Sequence, residues 1–463
     1  MYAGIDSSTQ STKVLVVDDD GRIVRSGRAS HPDGTEVDPA FWWEALREAI
    51  SQAGGIADCA AVSIAGQQHG LVMLDADGEV IRPSLLWNDT RSASSATDLI
   101  AEESVNYWVE ACGSAPVASL TVSKVRWIAD NEPDSLARLA AICLPHDWLT
   151  WKLSGSTSIS DLVTDRSDAS GTGYVDCRTG EYRYDLLAKA LHWPEEQAQA
   201  LVLPRIAGPF EVVGTVAPEF GSAVIAPGCG DNAGAALGLG LAPGQASVSL
   251  GTSGVVATVA DRPVIDPAGE VTGFMDATGN WLPLACTLNG SRIIDYVKDL
   301  LGVTYAEIDE LAAASEPSEL VLVPYFEGER TPNLPYSTAR MSGMTPETMT
   351  PGAFSRAAIE GMCCLMRGAF EALIRGGARI DSAMLIGGGA KSEVVQRFMA
   401  NILGVELRVP EPGEYVALGA ARQAALVVDP EIPAWTREMT RIQPADDAGA
   451  WGRYREAASR ING

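Results

Sequence analysis

Residues 226–240 read APGCGDNAGAALGLG, and they place one carboxylate, Asp231, among glycines and alanines. Residues 223–226 predict a short buried strand before it, and residues 233–241 predict a helix of small side chains after it. An aspartate between a strand and a helix is first of all an N-cap for the helix. A cap alone does not need the glycines on both sides, which let a ligand or another segment approach closely. We therefore expect Asp231 to lie close to the chemistry of the protein.

Two stretches on either side of this segment share one design, in which a short polar turn joins two apolar strands. The first covers residues 2–17, and its turn is rich in hydroxyl groups and ends at Lys13. The second covers residues 245–259, with the turn sequence GTSG. Such turns can aim hydroxyl and backbone N–H groups at a phosphate. Each alone could be an ordinary polar hairpin, but the repeat predicts two similar lobes that present phosphate-binding hairpins to one cleft.

Length, charge and cysteine usage limit the classes of protein. A chain of 463 residues exceeds the size of one core, so we predict two domains, 1–242 and 243–463. The formal charge of −26 argues against nucleic acid and anionic membranes as partners. Apolar runs stay below the ~20 residues of a membrane span, which predicts a cytoplasmic protein. The eight cysteines include no C-x-x-C pair, so we expect reduced core thiols and no structural zinc.

Polar loops bracketed by glycine follow several predicted strands, where α/β proteins usually place ligand contacts. The sequence AGQQHG at 65–70 contains Gln68 and His69, and a lone histidine there is more often structural than functional. The triple glycine at 387–389 follows a strand and precedes a helix, which suits the flat base or sugar of a nucleotide. It is not a Walker A loop, because Ala390 stands where the glycine before the lysine belongs.

Seven motifs, taken in order and spacing, resemble those of the FGGY carbohydrate kinases and most closely those of their xylulokinase branch. The motifs are GIDSSTQSTK, AGQQHG, LWNDTR, GCGDNAG, LGTSG, GERTP and LIGGGAKS, and they extend from Tyr2 to about Val428. The resemblance implies an α/β fold of the actin, hexokinase and Hsp70 type, which is ribonuclease H-like. In that fold two lobes, each a mixed sheet flanked by helices, close on ATP and sugar.

The resemblance also implies a role for individual residues. Asp231 looks like the general base that takes the proton of the sugar hydroxyl, and Asp6 looks like a second catalytic carboxylate. Both look like carboxylates that help to hold Mg²⁺. The substrate side is expected to comprise Gln68, His69, Trp87 and Asn232. Arg166, to which the resemblance assigns no role, is a further candidate sugar contact. The nucleotide side is expected to comprise Thr9, Ser11, Lys13, Thr252, Gly290, Gly388 and Gly389.

The expected reaction is the ATP-dependent phosphorylation of D-xylulose to D-xylulose 5-phosphate. Most xylulokinases have Met-His where this chain has Gln68-His69, so another ketose or polyol, such as D-ribulose or ribitol, stays open. Glycerol kinases have Arg-Glu there, which argues against glycerol. A non-kinase actin-like ATPase is a further alternative, although it would not need the AGQQHG loop. Family members are often homodimers, but no patch in this sequence identifies an interface.

Overall fold

The two predicted hairpins begin the two main sheets of the protein in the computed structural model, which describes residues 1–461. The strands of the first half are β1 (Tyr2–Ser7), β2 (Ser11–Val17), β3 (Ile23–Ser30), β4 (Glu36–Val37), β5 (Ala61–Gly66), β6 (Val72–Leu74), β7 (Ser84–Leu85), β8 (Ala141–Cys143), β9 (Val163–Asp165), β10 (Arg205–Ala207), β11 (Gly214–Thr215), β12 (Val224–Ile225) and β13 (Cys229–Gly230). Those of the second half are β14 (Gln245–Leu250), β15 (Gly254–Thr258), β16 (Leu284–Thr287), β17 (Val321–Val323), β18 (Arg340–Ser342), β19 (Ser382–Ile386), β20 (Glu406–Pro410) and β21 (Met439–Ile442).

The α-helices connect and flank these strands. They are α1 (Pro39–Gln52), α2 (Ala93–Glu102), α3 (Val105–Cys112), α4 (Thr121–Asn131), α5 (Pro133–Arg138), α6 (Pro145–Ser154), α7 (Arg166–Ala169), α8 (Tyr184–Leu191), α9 (Glu195–Gln199), α10 (Asp231–Leu239), α11 (Arg292–Leu301), α12 (Tyr305–Ala314), α13 (Pro351–Arg375), α14 (Glu393–Leu403), α15 (Tyr415–Val428) and α16 (Ala450–Ser459). Helix α1 begins with ordinary capping chemistry, because Asp38 accepts from the Ala40 N–H and Pro39 opens the helix.

The two main sheets have the same strand order and the same directions. In the first sheet the path is β3, β2, β1, β5, β12, β11, with β13 also paired to β5. In the second sheet the path is β16, β15, β14, β19, β20, β21. Each path contains three antiparallel strands, then two parallel ones, then an antiparallel edge. The predicted two-lobe mixed α/β architecture is therefore confirmed.

One helix of the second half packs on the first sheet. Helix α15 lies across β1 and beside α10, and glycines make this close approach possible. A Cβ atom on Gly419 would lie 1.8 Å from the Gly234 carbonyl oxygen, and one on Gly4 would lie 2.0 Å from the Ala417 carbonyl oxygen. Because α10 begins at Asp231, this glycine-lined contact sets where that carboxylate stands.

Two local predictions from the sequence are wrong. The sequence predicts a strand over residues 174–176, but this segment forms only an isolated bridge between Val175 and Tyr182. The sequence also predicts a peripheral tail from about residue 446, but α16 packs on α13 and buries Ala450 and Tyr454 in the core of the second half. The helices of residues 1–461 include none that is both long and apolar enough to cross a bilayer.

Candidate active site

A cavity of about 750 Å³ opens between the two main sheets, and both predicted catalytic carboxylates line it. Asp6 stands at the end of β1 and Asp231 at the start of α10. The other lining residues used below are Ser8, Lys13, Asn232, Ser249, Gly387, Gly388, Lys391 and Glu414. The carboxylates therefore face the space between the halves, as the duplicated hairpins predict.

Asp231 is the first residue of α10, and its side chain makes no capping bond to the next turn. Its Oδ1 instead accepts from the backbone N–H of Asn232 at 2.7 Å and from the Asn232 side-chain amide at 3.0 Å. Burial, with smaller contributions from the negative charges of Asp6 and Asp168, raises the pKa of Asp231 to about 7. Asp231 is therefore not a helix cap. Its carboxyl group has a pKa that suits a general base working near neutral pH.

Asp6 is buried beside the first hairpin turn. Its Oδ1 accepts from the Ser8 hydroxyl at 2.6 Å, and the Lys13 ammonium lies 3.6 Å from its Oδ2. Burial raises the pKa of Asp6, while the Ser8 hydrogen bond and the Lys13 charge oppose that shift. Lys13 also contacts Glu414 at 2.6 Å, so one ammonium group serves two carboxylates at the edge of the cavity.

The loop after β5 brings Gln68 and His69 to the same end of the first sheet. The Gln68 Oε1 accepts from the Asn232 amide at 3.0 Å, which links the predicted sugar loop to the predicted base. His69 has a φ of 70°, and its Nδ1 lies 2.8 Å from the Gly171 carbonyl oxygen. Since a carbonyl only accepts, Nδ1 donates and Nε2 stays an acceptor. Burial lowers the pKa of His69 to about 3, so the ring is neutral.

Two other residues predicted on the substrate side have different surroundings. Trp87 is 47% exposed, and its indole N–H donates to the Thr9 hydroxyl at 2.9 Å, next to the first hairpin turn. Arg166 stacks on Trp281, with its guanidinium carbon 5.6 Å from the ring centroid. Burial lowers the pKa of Arg166, although the negative charges of Asp276 and Asp165 oppose that shift. Arg166 is not among the residues that line the cavity.

The residues predicted on the nucleotide side divide into three groups. Lys13 and Gly388 line the cavity. Ser11 is buried within β2, and Thr252 is exposed at the tip of the second hairpin. Gly290 packs under that tip, where a Cβ atom would lie 2.6 Å from the Gly251 carbonyl oxygen. Its requirement for glycine is thus explained by packing against the hairpin.

A second cavity of about 510 Å³ continues from the first, and the two share Gly388 and Lys391. Its walls are partly apolar, with Ile294, Ile359 and Met362, while Gly389 borders it on the other side. Apolar walls with a glycine shelf suit a flat base, whereas the first cavity offers hydroxyls, a lysine and backbone groups. Together the two cavities provide an elongated site with a polar and an apolar end.

Sequence reasoning did not single out three residues that the fold brings here. Ser8 touches Asp6, Glu414 touches Lys13, and Asp168 influences the pKa of Asp231. Ser8 could have been found, because it belongs to the hydroxyl-rich turn. Glu414 and Asp168 carry no local signal, because each reaches the site only through tertiary packing.

Comparison with known proteins identifies similar chains over almost the whole length. Residues 1–238 match the N-terminal domain of the FGGY family of carbohydrate kinases, and residues 246–428 match its C-terminal domain. The chain is 45% identical over 438 residues to a xylulose kinase of Streptomyces coelicolor, which covers 92% of this chain and 87% of that protein. A xylulose kinase of Streptomyces rubiginosus is 45% identical over 448 residues, with coverages of 94% and 89%. The crystal structure of xylulose kinase from Bifidobacterium adolescentis has a TM-score of 0.94 at 45% identity, with 99% of both chains covered.

Proposed function

This chain belongs to the FGGY family of carbohydrate kinases, and from that membership we propose that it transfers the γ-phosphoryl group of ATP to D-xylulose. The product is D-xylulose 5-phosphate. The similarity to bacterial xylulose kinases along nearly the full chain is the observation that supports this sugar. The cavity supports the reaction type, because it holds a carboxylate that can act as a base, an ammonium group and hydroxyls between the two halves.

Asp231 takes the proton of the sugar hydroxyl in this proposal. Its Oδ1 is held by Asn232, which leaves Oδ2 to face the attacking hydroxyl. A pKa of about 7 lets the carboxylate be ionised at neutral pH and still bind a proton as the hydroxyl oxygen attacks phosphorus. Gln68, Asn232 and the acceptor Nε2 of His69 orient the sugar hydroxyls, and Trp87 forms the wall beside the first hairpin.

The phosphates lie along the first hairpin and the glycine shelf in this proposal. The Ser8 hydroxyl and the Lys13 ammonium lie beside Asp6, where they can neutralise and orient a terminal phosphate. Gly388 has no neighbour within 4 Å of its Cβ position, so backbone and phosphate can meet there. The base and ribose occupy the second cavity, next to Gly389. Thr9 and Thr252 are proposed as further phosphate contacts from the two turns, and Ser11 and Gly290 as residues that shape them.

Asp6 and Asp231 are the residues that would hold Mg²⁺. This cation is usually held by one or two carboxylates together with phosphate oxygens and water, and two carboxylates on one cavity wall fit that pattern. When bound, the ion would neutralise charge on the transferring phosphoryl oxygens.

The lobes are proposed to divide at residue 242, although α15 packs on the first sheet. A cytoplasmic location and a homodimer remain predictions, as does a sugar contact by Arg166.

A substrate panel tests the proposal. ADP release is measured with D-xylulose, D-ribulose, L-ribulose, ribitol and glycerol, each against a sugar-free blank. We expect D-xylulose to give the highest kcat/KM. Gln68 adds a polar group to the sugar loop, so a higher kcat/KM with D-ribulose or ribitol would transfer the assignment to that sugar. ADP release that none of the sugars stimulates would contradict a carbohydrate kinase and favour a sugar-independent ATPase.

A further inference from the structure

A carboxylate that the mechanism proposed above does not use is buried in the second half, in the sequence GERTP at 328–332. Glu329 is 1% exposed. Its Oε1 accepts from the backbone N–H groups of Leu288 and Arg330, both at 2.7 Å, and its Oε2 accepts from the Asn289 side-chain amide at 2.9 Å. A buried carboxylate is costly unless its oxygens are hydrogen-bonded, and both oxygens of Glu329 are. Its partners at 288–289 belong to the segment that follows β16.

The loop that carries Glu329 is itself fixed. The backbone N–H and C=O groups of Glu329 exchange hydrogen bonds with those of Leu334 at 2.9 and 2.8 Å. The Asn289 amide also donates to the Gly328 carbonyl oxygen at 2.8 Å, so it binds both the backbone and the side chain of this loop. Burial raises the pKa of Glu329, while the hydrogen bonds from Asn289 and from backbone N–H groups oppose that shift. Glu329 is therefore a fixed point to which residues 288–289 are attached.

The tip of the second hairpin, GTSG at 251–254, is held at both ends by the same segment after β16. The Thr287 hydroxyl accepts from the Gly254 N–H at 3.0 Å, and the Ser291 N–H donates to the Gly251 carbonyl oxygen at 2.7 Å. Outside the strand ladders, the hydrogen bonds that tie the tip to other parts of the described chain come from this segment. The position of the tip therefore depends on the position of the segment.

Hydrogen bonds connect Glu329 to the tip through this segment. The Thr287 hydroxyl, which accepts from the tip, donates its own proton to the Asn289 carbonyl oxygen at 2.7 Å. Asn289 is held by the Glu329 carboxylate through its side chain and through the backbone N–H of Leu288 before it. The order is therefore the Glu329 carboxylate, residues 288–289, the Thr287 hydroxyl and the tip. Each hydrogen bond in this series is 2.7–3.0 Å long.

The tip lies at the first cavity and has free hydrogen-bond donors. Ser249 before the tip and Val255 after it both line that cavity. Thr252 and Ser253 are exposed, and their backbone N–H groups donate to no acceptor within the described chain. Consecutive N–H groups of a turn can bind a phosphate. The sequence GTSG contains no charged side chain, so the place of these N–H groups, and not a charge, decides how well the tip binds a phosphate.

We infer that Glu329 is a positioning residue for ATP binding, because it fixes the segment 287–291 that holds the tip of the second hairpin beside the terminal phosphates. The inference rests on the proposed function, in which Thr252 contacts a phosphate. Glu329 touches no phosphate itself and acts only through the place of the tip. Its loss should weaken nucleotides whose phosphates reach the tip. AMP, which has only the phosphate next to the ribose, should be spared.

Glu329→Gln tests the inference, because an amide cannot satisfy all three donors. If its oxygen replaces Oε1, its NH₂ group faces the NH₂ group of Asn289. A reversed Asn289 amide would bring its oxygen against the Gly328 carbonyl oxygen. Calorimetric titrations with ATP and with AMP, in buffer with Mg²⁺ and without sugar, measure the effect. We expect the Kd for ATP to rise roughly ten-fold, the usual effect of about one lost hydrogen bond, and the Kd for AMP to stay within about two-fold.

Glu360→Gln is the matched control. Glu360 is also a buried carboxylate of the second half, but its charged partners are Arg356 and Arg453. This substitution should lower the melting temperature and leave the Kd values for ATP and AMP within about two-fold. Equal weakening of ATP and AMP in Glu329→Gln would mean a general loss of structure and would overturn the inference. An unchanged Kd for ATP in that variant would overturn it as well.

Thr287→Val is a second test, because it keeps the shape of the side chain and removes the hydroxyl through which Glu329 acts. It should weaken ATP and spare AMP. In a double-mutant cycle Glu329→Gln should add little once Thr287 is replaced, and additive losses would contradict a shared route. If Glu329→Gln does not fold, wild-type ATP binding by Thr287→Val overturns the inference.

The outcome for the wild-type enzyme separates this inference from the proposed function. A wild-type enzyme that phosphorylates no sugar contradicts the proposed function. A wild-type enzyme that phosphorylates a sugar, together with a Glu329→Gln variant that binds ATP as tightly, contradicts the positioning role of Glu329 alone.

Discussion

The ammonium group of Lys13 lies 2.6 Å from the Glu414 carboxylate, although 401 residues separate the two in the chain. Lys13 belongs to the first hairpin and Glu414 precedes α15, so the contact joins the two halves at the edge of the cavity. The side chains are 20% and 46% exposed. Exposed pairs of this kind contribute little to stability, about 0–1 kcal/mol. If Lys13 binds a phosphate as proposed, the Glu414 carboxylate would compete with that phosphate for the same ammonium group.

Glu414→Gln should therefore lower KM for ATP by about two- to five-fold, because less than about 1 kcal/mol of competing interaction is removed. The melting temperature should change little. Initial rates at saturating sugar and varied ATP measure the effect. Glu411→Gln is the matched control, since that carboxylate has no lysine or arginine partner within the described chain. A rise in KM for ATP would mean that Glu414 positions Lys13 for the phosphate.

Asp231→Asn should lower kcat by at least about 100-fold while sugar binding persists. The amide has the same shape, so Asn232 can still donate to its oxygen, but the amide cannot take a proton from the hydroxyl. Coupled ADP release and calorimetric sugar titration without nucleotide measure the two properties. Asp185→Asn, in the first turn of α8, is a control of the same chemistry at a helix start. A turnover near that of the wild type would exclude Asp231 as the base.

The kcat/KM for the sugar should fall about ten-fold per pH unit below pH 7. Asp231 accepts a proton only as the carboxylate, and its pKa is raised to about 7, so protonation below that pH removes the base. Stability has the opposite dependence, because the folded protein holds this proton more tightly than the unfolded chain. The proton on Asp231 therefore stabilises the folded protein at a pH below the pKa of the unfolded state, and this stabilisation is lost as the pH rises through 7. Asp231→Asn should thus raise the melting temperature at pH 8 more than at pH 5, and equal shifts would contradict the raised pKa.

Gly419→Ala should destabilise the protein and reduce kcat together. The new methyl group would lie 1.8 Å from the Gly234 carbonyl oxygen, so α10 and α15 must separate, and α10 carries Asp231. Overpacking of this kind costs about 1–3 kcal/mol or more. Gly368→Ala in α13 meets nothing within 4 Å and should stabilise by up to about 1 kcal/mol. Chemical unfolding of both variants gives the comparison, and an unchanged free energy of unfolding in Gly419→Ala would contradict this packing.

Much of the architecture could be predicted because it depends on local patterns. The strand–turn–strand units at 2–17 and 245–259 are built from apolar runs that alternate with small polar turns, and their repetition predicts two similar sheets. The segment that contains Asp231 predicts a strand and a helix at their observed positions, within a few residues. The family resemblance through seven ordered motifs is confirmed along almost the entire chain.

Three residues that were predicted in the site have surroundings that local sequence patterns do not predict. Ser11 is buried at the start of β2, a strand in which its neighbour Thr12, on the opposite face, is buried as well. Arg166 stacks on Trp281, a residue of the second half. Gly290 supports the second hairpin through packing. Each outcome depends on packing against segments that are distant along the chain.

The sequence by itself determined the two duplicated sheets, the polar turns and the presence of one carboxylate at a glycine-lined strand–helix junction, because these features follow from patterns within about twenty residues. Only the tertiary structure decided which charges meet. It brought Glu414 to Lys13 and Glu329 to Asn289. It also raised the pKa of Asp231 to about 7, because burial and distant carboxylates, and not the residue type, set the cost of its charge.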